Sequence, residues 1–309
     1  MDIDKFFSDY DVAFATGNND AIGDFLQSSL AAAEVENDKH LAVTILNEMA
    51  GFFRSISSYA QAIRYAEKAL TTARDLGFEN TIPYGTTLLN TATAYRTSGD
   101  NIKALEYFIH ALSILQSNLP VDDFQLACLY NNISAIKQDT GQYAEALEML
   151  QKAVTIMQKQ PNMENDTATV MTNLAQVLLK LDRDAEAMKT IEKALELFRQ
   201  ENTSTAVDQR LSPHYAAALA AQGEANFRMK RYAECVRAYE NALAHIKAAY
   251  GENKDYAVTS INLGIAYNKL NRADKAEECR TKGEKILAGL GVGMQRSTNA
   301  GQADISGTS

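Results

Sequence analysis

The chain has little of what bends, staples or exports a polypeptide. Its 309 residues hold four prolines and sixteen glycines, about half the usual share of the two, which argues against collagen-like, glycine-rich disordered and β-sandwich classes. Three cysteines, Cys128, Cys235 and Cys279, cannot all pair and show no CxxC spacing, so reduced thiols are expected rather than a disulfide framework. Basic charge is also short. Thirty Lys and Arg face 39 Asp and Glu, a net −9, opposite in sign to what neutralising a phosphate backbone requires, so nucleic acid is not an expected partner. No run approaches the roughly 20 apolar residues of a membrane span; the stretch 215–221 is stopped by Gln222 and Glu224. The first nine residues carry Asp2, Asp4 and Asp9 and lack both a basic and an apolar segment, unlike a signal peptide. The expectation is a cytoplasmic protein with no membrane partner.

What the chain has is alanine, 47 residues of it, which points to helix nearly throughout. The alanines are periodic. Aligning SYAQAIRYAEKAL with its five later counterparts puts Ala62, Ala104, Ala146, Ala187, Cys235 and Ala276 in one column, at separations of 42, 42, 41, 48 and 41 residues. Seven residues on lie Ala69, Ala111, Ala153, Ala194, Ala242 and Gly283; twelve before the first column lie Ala50, Ala92, Ser134, Ala175, Gly223 and Gly264. Small side chains at fixed offsets let two helices approach to the short end of the roughly 8 to 10 Å packing range, so each period is one helix pair that also touches the next. Larger residues such as Leu46, Met49, Leu88, Tyr95, Tyr130, Ile133, Met171, Leu174 and Leu178 recur at helical spacing as core. Gly99 and Gly141 mark the turns inside two pairs, with Ser57, Asp182, Lys230 and Asn271 in the equivalent place elsewhere. The four prolines are expected just before first helices of repeats, where they break nothing.

These columns, with the blocks LNTATAYRTSGD, YNNISAIKQDTGQYAEAL and MTNLAQVLLKLDRDAEAM, resemble the tetratricopeptide repeat, and the longer period is similar to the kinesin-light-chain variety. The resemblance implies an all-α, right-handed α–α superhelix, a tetratricopeptide solenoid. Six helix pairs are expected over 39–290, at about 39–80, 81–120, 121–163, 164–205, 206–252 and 253–290. A degenerate capping pair over 1–38 would precede them, with Gly17 to Asp20 as its turn, Asp11 and Gly23 as its weak column matches and an outer face meeting water. The core column of Ala66, Phe108, Leu150, Ile191 and Tyr239 becomes Arg280 in the last pair, a polar outer face. Residues 201–212 read as an insertion, and 291–309, rich in glycine, as a disordered tail.

Catalytic constellations are missing. His40, His110, His214 and His245 show no metal-ligand spacing, and no cysteine has a neighbouring base. GLGVGM at 289–294 follows a helix rather than a strand and so is not a phosphate loop. No enzyme activity, metal or cofactor is expected. What remains is a surface. The first helix of each pair should line the concave side, where one column reads Glu48, Asn90, Asn132, Asn173, Ala221 and Asn262, with Asn47 and Asn131 one step before. An asparagine amide offers an acceptor and two donors, which suits the backbone of an extended peptide, and the resemblance implies that these asparagines grip peptide ligands. The same residues could equally cap or space neighbouring helices. Arg54 and Arg96 share a further column, and Lys180, Arg228 and Lys269 the next, a basic rim able to receive an acidic side chain or a carboxylate; solvated helix-end charge is the alternative. The expected function is a non-catalytic scaffold that captures a protein or peptide segment, acidic in part, in the concave groove through Asn47, Asn90, Asn131, Asn132, Asn173, Asn262, Arg54 and Arg96. A peptide-responsive sensor and a self-associating assembly module are the other readings, and oligomeric state is open.

Overall fold

A computed structural model describes residues 2–200 and 213–290; the expected insertion at 201–212 and the tail from 291 lie outside the described residues. Every regular element among them is a helix. The chain divides into two compact units, Met1–Ile136 and Lys137–Ser309.

The first unit holds α1 (Ile3–Ala15), α2 (Asn19–Val35), α3 (Lys39–Ser55), α4 (Tyr59–Asp75), α5 (Ile82–Thr97) and α6 (Asn101–Asn118), and the unit boundary falls in α7 (Phe124–Asp139). The second holds α8 (Tyr143–Met157), α9 (Glu164–Lys180), α10 (Asp184–Gln200), α11 (Pro213–Arg228), α12 (Tyr232–Tyr250), α13 (Lys254–Lys269) and α14 (Ala273–Gly289). Odd-numbered helices are the first of each pair and even-numbered the second.

All three small-residue columns are buried in full. Their purpose is visible where alanine gives way to glycine. A Cβ on Gly223 would stand 2.6 Å from the Tyr239 ring, one on Gly264 2.8 Å from the Ala276 carbonyl, and one on Gly283 2.6 Å from the Ala257 carbonyl. At these crossings the helices are closer than any side chain allows. Around them the first unit buries Phe6, Ile22, Leu26, Ile45, Leu46 and Met49; the second buries Met171, Leu178, Ile191, Leu195 and Phe198. Leu174 is only partly buried at the edge of that cluster.

The turns inside the pairs share one backbone solution. Ser57, Gly99, Gly141, Asp182, Lys230 and Asn271 have φ of +60°, +91°, +74°, +58°, +60° and +58°. At each, the left-handed residue donates three residues back and its successor five back: Ser57 N to Arg54 O at 3.0 Å with Ser58 N to Phe53 O at 2.8 Å, Gly99 N to Arg96 O at 3.1 Å with Asp100 N to Tyr95 O at 3.0 Å. This is the Schellman motif, which satisfies carbonyls that a helix end would otherwise orphan. Four of the six do it without glycine, at about 1–2 kcal/mol each.

Two features differ from the sequence reading. Pro83 and Pro213 stand inside the first turns of α5 and α11 rather than before them, because first-turn amides have no intrahelical acceptor to lose. The pair α1–α2 turns at Gly17 (φ +64°), with the Asn18 side chain accepting from Asp20 N and Ala21 N, and its exposed surface is mixed rather than polar throughout: Val12 is 70% and Phe14 56% exposed beside the exposed Asp4, Lys5 and Ser8. Asp11 is exposed too and fills no packing column, whereas Gly23 is buried. At the other end of the chain, Arg280 is exposed in an ion ladder with Glu277 (2.7 Å) and Glu284 (3.3 Å) on the charged face of α14.

Candidate functional site

In the first unit, α3 and α5 lie against each other and present the asparagine column. Asn90 Nδ2 donates to Asn47 Oδ1 at 3.0 Å. Asn47 Nδ2 in turn donates to Thr87 Oγ1 at 3.0 Å and to the Val43 carbonyl at 3.1 Å. Thr87, fully buried, passes its own proton to the Pro83 carbonyl at 3.0 Å. Asn47 is therefore committed on both amide atoms and works as a spacer between first helices. Asn90 spends one donor, and its carbonyl oxygen makes no bond within the described chain. Asn132 on α7 is alike: its Nδ2 reaches back to the Cys128 carbonyl at 2.9 Å and leaves the oxygen open. Thr86 Oγ1 donates to Gln125 Oε1 at 3.1 Å, which ties α5 to α7 on the same side. Asn131 is half-buried and already engaged within the chain.

The second unit keeps Asn173 on α9 and Asn262 on α13, both half-buried. The structure does not bring them together; α11 intervenes with Ala221, which is buried. Asn173 is already engaged within the chain, whereas no described residue bonds to the Asn262 side chain.

The arginines behave differently in the two units. Arg228 donates through Nε to Asp184 at 2.6 Å and through Nη2 to Asp182, so it is neutralised where it stands and offers no free charge. Arg54 and Arg96, at the C-terminal ends of α3 and α5, have neither an ion pair nor a hydrogen bond from their guanidinium groups to any described residue. Arg96 is half-buried and its Nε is completely enclosed without an acceptor, which costs about 1–3 kcal/mol. Burial and the neighbouring Arg96 charge both push the Arg54 guanidinium down. Glu48, half-buried on α3, has no partner either, and burial pushes its carboxyl up. Burial, then the charges of Glu48 and Asp11, push the Tyr10 hydroxyl up to about 12.

The remaining chemistry-bearing groups serve packing. His40 lies 5.1 Å from the Phe78 ring, His110 6.1 Å from Tyr84 and His245 5.0 Å from Tyr215, while burial pushes His214 down. Burial drives the Cys235 thiol up to about 12, the reverse of what a nucleophile needs. Among the described residues no three His, Cys, Asp or Glu come together to hold a metal ion, and no helix is long and apolar enough to cross a membrane. Sequence reasoning missed one recurring device. Tyr95 donates to Glu67 of the preceding pair beneath the Lys103 ammonium, and Tyr267 donates to Glu240 at 2.5 Å beneath Lys275. The signal was present as Tyr-to-Lys spacings of eight residues, but the glutamate lies 27 or 28 residues upstream.

Buried small-residue columns, left-handed turns and polar side chains on the first helices define an α-solenoid of helical hairpins. The chain belongs to the tetratricopeptide repeat family, whose model matches residues 41–117, 125–200 and 215–287. It is 24% identical over 226 residues to Protein KINESIN LIGHT CHAIN-RELATED 3 of Arabidopsis thaliana, covering 72% of this chain and 34% of the relative. The chain thus spans about a third of the length of that curated relative. BtubC (BKLC) from P. vanneervenii has the same fold, with a TM-score of 0.59 at 23% identity over 78% of this chain and 95% of that one. So does a Rap protein solved in complex with Competence and Sporulation Factor, with a TM-score of 0.63 at 15% identity over 92% of this chain and 75% of the other.

Proposed function

We propose that this chain is a non-catalytic cytoplasmic scaffold that holds a segment of a protein partner on the first-helix face, beginning in the first unit. The observation that carries the reading is the pair of unspent amide oxygens on Asn90 and Asn132, borne on helices already tied to their neighbours by the Asn47 to Thr87 and Thr86 to Gln125 bonds. An acceptor on each of two successive helices matches amide protons along an extended backbone. Arg54 and Arg96 would receive an acidic group on the same segment, with Asn131 beside its present contacts; in the second unit, Asn262, and Asn173 beside its present contacts, would offer polar groups of their own. The Rap protein captured with its factor supports peptide capture by this fold and, equally, a second reading in which a peptide switches the chain between states.

The test is capture from native lysate by the full chain beside an Asn90→Ala, Asn132→Ala variant of unchanged helicity. Loss of a partner from the variant supports the reading. An identical set of partners would sink it.

A further inference from the structure

We propose that Arg54 and Arg96 form a receptor for a doubly charged oxyanion, the phosphate of a phosphorylated side chain on the partner segment. The proposal rests on the reading that the first-helix face takes such a segment, and it names the chemical group that anchors it.

The geometry comes from the helices. The Asn90 to Asn47 bond fixes α5 beside α3; Arg96 and Arg54 lie six and seven residues further on, roughly two turns or 10 Å along each axis. Both occupy the same place in successive Schellman turns, their carbonyls accepting from Gly99 and Ser57. The two arginines thereby stand at corresponding positions on adjacent helix ends, near enough for the charge of Arg96 to act on Arg54.

No described residue answers them. Arg74, Arg183, Arg228, Arg237 and Arg280 each have a carboxylate within reach, in a protein whose acids outnumber its bases. Arg54 and Arg96 have none among the described residues, as is also true of Arg64, Arg231 and Arg272, but only these two stand together at the ends of adjacent first helices. The nearby hydroxyls of Ser55, Thr97 and Ser98 give their protons to carbonyls of their own helices. Arg96 Nε is sealed within the fold, so an acceptor from outside is to be met by the terminal nitrogens of that guanidinium. Burial first, and the Arg96 charge second, push the Arg54 guanidinium down, and an anion beside the pair offsets the second of these.

Charge and oxygen count select the anion. One carboxylate brings a single charge and two oxygens, which leaves one guanidinium uncompensated. A phosphomonoester brings about −1.5 to −2 and three acceptor oxygens, enough to meet both guanidinium groups together.

The experiment titrates the full-length chain by calorimetry with two blocked tripeptides, acetyl-Gly-phosphoserine-Gly-amide and acetyl-Gly-Asp-Gly-amide, and follows the arginine Nε–H signals by nuclear magnetic resonance. The phosphoserine peptide is expected to bind at least tenfold more tightly, to shift the Arg96 Nε–H signal, and to be displaced by sulfate. Arg54→Gln should lose at least fivefold in affinity, and so should Arg96→Lys, which keeps the charge but removes the planar fork of donors. Equal affinity for the two peptides, or unchanged phosphoserine affinity in both variants at unchanged helicity, would overturn the proposal. These peptides are too short to span Asn90 and Asn132, so a negative result here leaves partner capture standing. Conversely, unchanged capture by the asparagine variant leaves the anion result standing.

Discussion

Asn90 donates to Asn47 across two neighbouring first helices at 3.0 Å, and the direction of that bond divides the asparagine ladder. The residue that accepts is spent on the fold; the residue that donates keeps an oxygen for a partner. Asn47→Ala should therefore destabilise the first unit by about 1–3 kcal/mol, since Asn90 Nδ2 loses its acceptor in a half-buried place. Asn90→Ala should cost about 0.5–1.5 kcal/mol while weakening partner capture more than Asn47→Ala does. Urea unfolding beside a capture assay separates the two; the opposite ranking would reverse the assignment.

Glycines in the small-residue columns should tolerate nothing larger. Gly223→Ala and Gly264→Ala drive a methyl to 2.6 Å from the Tyr239 ring and 2.8 Å from the Ala276 carbonyl, an overpacking worth about 1–3 kcal/mol. Gly51 sits in α3 with nothing within 4 Å of a built Cβ, so Gly51→Ala should stabilise by about 0.5–1 kcal/mol. Thermal melts of the three variants give the sign of each.

Lys230 pays the left-handed cost with no glycine to absorb it (φ +60°). Lys230→Gly should raise the unfolding temperature by the equivalent of about 0.5–1 kcal/mol, the strain relieved less the entropy the unfolded chain gains. A melt at or below wild type would show that the lysine side chain compensates.

Alkaline pH should loosen the second unit. Burial and the hydrogen bond to Glu240 push the Tyr267 hydroxyl up to about 12. A group whose folded value is raised gives its full stabilisation below the unfolded value, about 10 for tyrosine, and loses it as pH climbs through the folded one. Stability should fall between roughly pH 10 and 12, and less steeply in Tyr267→Phe. Glu48 has the same sign at the acid end: burial raises its carboxyl, so its ionisation works against folding near neutrality. Glu48→Gln should stabilise at pH 7, with the gain fading as pH drops below the usual carboxylate range. Denaturation midpoints measured across pH decide both.

The arginines should part company on stability. Arg228→Gln removes a partly buried double contact with Asp182 and Asp184 and should lower the melting temperature. Arg54→Gln removes a repelling neighbour of Arg96 and should leave it unchanged or raise it, the signature of a residue kept for binding rather than folding.

Much of this fold was readable because alanine-sized contacts at a helix crossing leave an unmistakable period. Ala62, Ala104 and Ala146 stand 42 residues apart and are all buried. The turns were readable where glycine marks them and equally present at Ser57, Asp182, Lys230 and Asn271, where only the backbone conformation reports them. The site was half-readable. Sequence spacing brings Asn47 and Asn90 to one face, but whether an amide is spent depends on Thr87, forty residues away from Asn47. Likewise Arg228 and Arg54 look alike in the sequence; the carboxylates of Asp182 and Asp184 distinguish them. The division at Ile136 and the uncovered apolar side chains of α1 left no mark in the columns at all.

The six hairpin bends follow one hydrogen-bond pattern and not one amino acid. Mutation at those elbows can therefore change how firmly each is held without changing where it folds. The same twist costs least at Gly99 and Gly141 and most where a residue with a side chain, such as Lys230, is held in it.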